Sequence, residues 1–289
     1  MKRKKTVRDG KKRASILSKR HWPAMINIVT GVGSSTAGTL VGGAVGGPAG
    51  AITGDIVANL LQAGLRKVVK DQLGRMLSTF EELRTGKVLS QIRTKVIQNL
   101  SQGRTLKQDD FFSTNIDERS AAEEIFEGVL LAAQREYEEK KIKFEGNFFA
   151  NIAFEPSIDE QKIDRAYANF LLKLAQGLSY RQLCIVALFV QKDNFHLRNI
   201  SYRNIERFYD FKFFTVLQDI YILYSQGLLF VDEIALVSPF DIVPAKMVAK
   251  GPIKTLYSLM GLEEIEQSDI NALAEQLSID RQVGQKSTS

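Results

Sequence analysis

Apolar residues recur at helical spacing from Asp55 to Gly103, through Leu61, Leu65, Val68 and Val69 and then Leu73, Met76 and Leu77. This pattern predicts amphipathic helix across the region. A polar break containing Asp109, Asp110, Ser113 and Asn115 precedes a second helical block, in which Glu136 and Glu139 stand four residues before Lys140 and Lys143. That order is the favourable one for charge pairs along a helix, and the run is expected to form a solvated face. The apolar and aromatic stretch from Gly146 to Phe154 is broken at Glu155-Pro156. Ser157 with Glu160, and Ser179 with Gln182, have the spacing of capping boxes at the starts of the next two helices. The first of these ends near Gly177 and directs Phe170, Leu171, Leu174 and Leu178 toward a core.

An apolar helix from Leu183 to Val190, a short helix near Ser201 to Tyr209 and a longer one near Phe213 to Gln226 follow. Three short strands are then expected at Gly227 to Val231, Ile234 to Val237 and Ile242-Val243. Three helices followed by a small hairpin is the order of a winged helix. A final helix, Ile253 to Met260, stops at Gly261, and the sequence from Ser268 onward reads as a polar tail that frays after Ile279.

One stretch departs from these patterns. No charged residue occurs from Trp22 to Gly54, and within it Gly38, Gly42, Gly46, Gly50 and Gly54 recur every fourth position. In a helix, positions four apart share a face, so the glycines cut a groove that another backbone can approach closely. Each glycine costs about 1 kcal/mol against alanine in a helix interior, which only close packing offsets. Gly47 and Pro48 mark a turn, so the segment is read as a helical hairpin with arms of roughly 36 and 27 Å, near a hydrocarbon thickness of about 30 Å. Its second arm continues as amphipathic helix through Arg66, Lys67 and Lys70.

Charge sharpens this reading. The net charge of the 289 residues is +6, but residues 1 to 20 hold ten Lys/Arg against Asp9 alone, a balance of +9, and the remaining chain is slightly acidic. The basicity therefore belongs to a tail, and Lys2, Arg3, Lys4, Lys5, Lys11, Lys12 and Arg13 are candidates to meet anionic lipid or nucleic acid. With basic residues at both open ends, the hairpin obeys the positive-inside rule. The basic region is too long, and the following segment too glycine-rich, for a cleaved signal peptide. Asp55 opposes permanent insertion, because a carboxylate at the bilayer centre costs about 2.5 to 3.5 kcal/mol. A cytoplasmic chain that joins the inner membrane conditionally satisfies both observations.

Catalytic patterns are missing. Gly31-Val32-Gly33-Ser34-Ser35 lacks the Lys-Ser/Thr of a phosphate-binding loop and the third glycine of a dinucleotide fingerprint. The single cysteine, Cys184, sits in an apolar helix and is expected to pack as a small hydrophobe. Only His21 and His196 could serve as imidazole bases or ligands, and neither has a nucleophile or acid at a recognised spacing. No catalytic residue, metal site, cofactor or small-molecule substrate is predicted. Arg198, Arg203 and Arg207 alternate with Tyr202, Phe208 and Tyr209, so contact with DNA through the winged helix is an alternative.

The glycine ladder, the segment Gly146-Asn147-Phe148-Phe149-Ala150-Asn151-Ile152-Ala153-Phe154, the helix start Tyr180-Arg181-Gln182-Leu183 and the run Leu256-Tyr257-Ser258-Leu259-Met260-Gly261-Leu262 resemble a group of uncharacterised bacterial glycine-zipper proteins. The resemblance implies an association with mobile elements and phage defence, where membrane disruption is a recurrent outcome. The expected fold is mainly α. It comprises a basic tail (1–21), a glycine-zipper hairpin with amphipathic helices (22–103), a helical middle region (104–177), a winged-helix-like domain with a small β hairpin (178–267) and a polar C-terminal tail (268–289). The expected function is that of a non-enzymatic effector that meets membrane lipid and self-associates through the zipper; the alternative is a cytosolic DNA-binding regulator.

Overall fold

The computed structural model describes residues 65–113, 119–155, 163–203, 211–231 and 235–278. It is mainly helical with one small two-stranded sheet. The glycine ladder, the turn at Gly47 and Pro48, the basic tail, the Ser157–Glu160 capping box and Arg207 lie outside the described residues. Two compact units divide the chain, Met1–Ala168 and Asn169–Ser289.

The first unit contains α1 (Arg66–Leu73), α2 (Thr79–Ser101), α3 (Ala121–Arg135) and α4 (Glu139–Ile152). The expected helix through Met76 and Leu77 is interrupted, since α1 stops at Leu73 and Met76 is fully exposed. Ser78 then restarts the chain with a capping box, its hydroxyl accepting from the Glu81 amide while the Glu81 carboxylate accepts from the Ser78 amide. Ser120 and Glu123 do the same for α3.

Val88, Leu89, Ile92 and Val96 of α2 pack in a core with Ile125, Phe126, Val129 and Leu130 of α3 and Phe148, Phe149 and Ile152 of α4. The Phe126 and Phe149 rings meet at 4.8 Å between centroids. Contacts between Lys87 and Glu139, Gln91 and Asn147, and Asn99 and Asn151 advance together along both helices, so α2 and α4 run parallel. At Gly146 a Cβ would lie 3.0 Å from Gln91 Cβ and 3.2 Å from the Val88 carbonyl oxygen, and glycine permits that close approach. Beyond the two helices the chain ends pair, with the Lys107 amide donating to the Ala153 oxygen and the Glu155 amide to the Thr105 oxygen.

Helix α5 (Arg165–Gly177) carries the boundary between the units. It buries Leu171 and Leu172, whereas Phe170, expected in the core, is half exposed. The second unit is built on α6 (Tyr180–Val190), whose residues Gln182 to Phe189 are all buried. A helix apolar on every side belongs at the centre of a fold. The predicted Ser179–Gln182 capping box opens it. Around it stand α7 (Phe211–Ser225), the antiparallel strands β1 (Leu229–Val231) and β2 (Met247–Ala249), α8 (Pro252–Met260) and α9 (Gln267–Leu277).

Two expectations are corrected here. The strand expected over Gly227 to Val231 is confined to Leu229–Val231 and pairs with Met247–Ala249, while residues 235–237 and 242–243 form no strand and Pro239–Asp241 is a turn of 3-10 helix. The polar tail expected from Ser268 is helical to Leu277 and contributes Ile270, Leu273, Ala274 and Leu277 to the core. Helix α8 ends as expected at Gly261, whose φ of 64° is the left-handed cap that glycine adopts without strain.

Candidate functional site

The charge run near residue 140 turns inward. Glu136 caps the end of α3, so the expected continuous helix face is broken by the turn into α4. Lys141 and Glu145 occupy one face of α4, four residues apart, and both are 2% exposed. Lys141 Nζ lies 2.7 Å from Glu136 Oε2 in a buried ion pair. Only the outer members of the run behave as a solvated face, with Glu139 paired to Lys87 at the surface.

This leaves Glu145 as a second carboxylate beside a pair that is already neutral. Neither of its oxygens has a hydrogen-bond partner. Burial, opposed by Lys141 and reinforced by Glu136, brings its pKa up to about 8. Near neutral pH the group therefore holds its proton, because an uncompensated charge in a low-dielectric core is costly. Gln134 Nε2 and Arg84 Nε are also buried without partners, while Arg84 Nη1 donates to the Gln134 carbonyl at 3.1 Å. Next along the α2 and α4 contact, Gln91 Nε2 donates to Asn147 Oδ1 at 2.7 Å and Asn99 Nδ2 donates to Asn151 Oδ1 at 2.9 Å. The first unit thus contains a polar seam, satisfied at one end and charged and incompletely bonded at the other. Among the described residues, no group of three or more His, Cys, Asp or Glu is arranged to hold a metal ion.

In the second unit, two of the arginines singled out in the sequence, Arg198 and Arg203, make contacts within the fold. Arg203 is paired with the buried Asp241 carboxylate. Asp241 also accepts from the Val237 and Ser238 amides, each at 2.9 Å. The Arg203 hydrogen bond, followed by these two amide bonds, holds the Asp241 carboxyl well below the usual carboxylate range. Arg198 lies over the Tyr202 ring, 5.2 Å from its centroid. Tyr202 is buried and packs edge-on against Phe213, so its ring is not presented for stacking on a base. His196 is exposed and Cys184 is buried.

Sequence reasoning did not find the Glu136, Lys141 and Glu145 cluster, although the four-residue step from Lys141 to Glu145 was visible. What it lacked was the turn at Glu136 to Glu138, which decides the side on which that step falls. Comparison with family models, curated proteins and solved structures finds no match to this chain. Among the described residues, no helix is long and apolar enough to cross a membrane.

Proposed function

We propose that this chain is a non-enzymatic bacterial effector that self-associates at, or inserts into, the cytoplasmic membrane through a glycine-zipper hairpin, acting in defence against phage. The observation that carries this reading is the ladder Gly38, Gly42, Gly46, Gly50 and Gly54 within an uncharged stretch preceded by a basic tail. Downstream of the ladder in sequence, Leu65, Val68 and Val69 are buried and Gln72 donates to Glu127 of α3. That attachment supports a mechanical link through which the folded units restrain or release the zipper. The basic tail contributes attraction to anionic lipid of about 1 kcal/mol per Lys/Arg at the surface. Fractionation of cells expressing the intact chain and a Gly42→Leu, Gly46→Leu variant tests the reading. The intact chain is expected in the membrane fraction and the variant in the soluble one; an intact chain that stays soluble even under phage challenge refutes it.

A second reading rests on the sequence order expected of a winged helix, in which Arg198, Arg203 and Arg207 alternate with Tyr202, Phe208 and Tyr209. On this reading the chain is a cytosolic DNA-binding regulator that uses Arg198, Arg203, Arg207 and the basic tail. It predicts a DNA affinity that falls steeply with salt, by about one unit of logarithmic slope per phosphate contact. The internal engagement of Arg203 and Tyr202 makes it the weaker of the two.

A further inference from the structure

The turn between α3 and α4 is held by one carboxylate. Glu136 Oε1 accepts from the Glu138 amide at 2.9 Å, and Glu136 Oε2 meets Lys141 Nζ at 2.7 Å. The Lys141 amide donates to the Glu138 carbonyl at 2.8 Å as α4 begins. Glu136, Glu138 and Lys141 thus clasp the end of α3 to the first turn of α4. The clasp depends on the Lys141 ammonium, because a buried carboxylate is costly without a cation.

A competitor for that ammonium lies one helical turn away. Glu145 stands four residues after Lys141 on the same face of α4, the spacing at which helical side chains meet. Both of its oxygens are buried without a hydrogen-bond partner. Helices α2 and α3 pack on α4 and bring further charges toward it. Lys87 of α2 is paired with Glu139, Arg84 of α2 donates to the Gln134 carbonyl, and Lys95 is buried further along α2. Lys141 and Glu136 are the charged groups that act on Glu145 itself. While Glu145 holds its proton, the pair beside it stays neutral and intact. Once Glu145 ionises, two buried carboxylates share one ammonium.

We propose that loss of the Glu145 proton draws Lys141 Nζ from Glu136 toward Glu145 and opens the turn at residues 136–138, which makes this corner of the first unit a pH-operated clasp. The proton passes to solvent, Lys141 keeps its charge and no covalent bond changes. The turn lies at the surface, with Tyr137 80% exposed, so water takes the place of Lys141 at Glu136.

Amide hydrogen exchange of the full chain at pH 7 and pH 9, corrected for the intrinsic pH dependence of exchange, measures the opening. With Glu145 titrating at about 8, its ionised fraction rises about tenfold over that interval, and protection of the Glu138 and Lys141 amides should fall by about the same factor in the wild type. Glu145→Gln keeps the shape of the protonated acid and cannot ionise, so these two amides should be equally protected at both pH values. Glu145→Met, which also cannot ionise, gives a second comparison that does not depend on how the amide is accommodated. The amides of Val88 to Ile92 in α2 should keep their protection throughout, which separates opening of the turn from general loosening. Unchanged protection of the Glu138 amide in the wild type would overturn the proposal, since Lys141 would then remain on Glu136. So would an equal loss in both variants, or a matching loss in α2.

Discussion

At the scale of single residues, Glu145 has the clearest consequence. Its ordinary pKa is 4.5, and in the folded chain it rises to about 8, so between these values the folded state binds a proton that the unfolded state has lost. Stability contributed by this group must therefore fall as pH rises through that interval, with a limiting slope of about 1.4 kcal/mol per pH unit. Asp241 works in the opposite direction at lower pH, because its depressed pKa makes its contribution present at neutrality and lost on acidification. Urea unfolding between pH 5 and pH 8 should show stability declining in the wild type and a nearly flat profile in Glu145→Gln. Parallel profiles for the two proteins would show that Glu145 does not carry an extra proton in the folded state. The sequence displayed all three members of the Glu136, Lys141 and Glu145 cluster, yet read as a solvated run. Charge order along a presumed helix cannot reveal a turn that redirects half of it into the core.

At the scale of elements, legibility depended on how local the determining contacts are. The capping box at Ser179 and the glycine stop at Gly261 are local, and both occur where the sequence places them. The partner of β1 is not local. Its pairing register, Leu229 with Ala249 and Val231 with Met247, crosses a connection that contains more attractive β-forming runs than Met247–Ala249 itself. Helix α9 was hidden for another reason, because its many polar residues mask the stripe Ile270, Leu273, Ala274 and Leu277. That stripe has the spacing of one helix face and packs chiefly on α6, with the Tyr180 hydroxyl donating to Asp269 at 2.8 Å. Ile270→Asp should consequently destabilise the second unit by about 3 kcal/mol or more, since it buries an unpaired carboxylate in place of an apolar side chain. Differential scanning calorimetry checks this; an unchanged melting profile would mean that α9 is not part of the core.

At the scale of the whole molecule, mainly helical architecture was legible because long periodic segments dominate the chain. The candidate membrane element, the glycine ladder, was legible in a different sense, as a pattern of residue size and charge. On the reading proposed above, the zipper acts on the membrane. The most direct measurement is the membrane potential, followed by a voltage-sensitive dye, in bacteria expressing equal amounts of the intact chain or its Gly42→Leu, Gly46→Leu variant during phage challenge. Depolarisation by the intact chain and its absence with the variant is the predicted result. An intact potential in both, or equal depolarisation by both, would contradict the account.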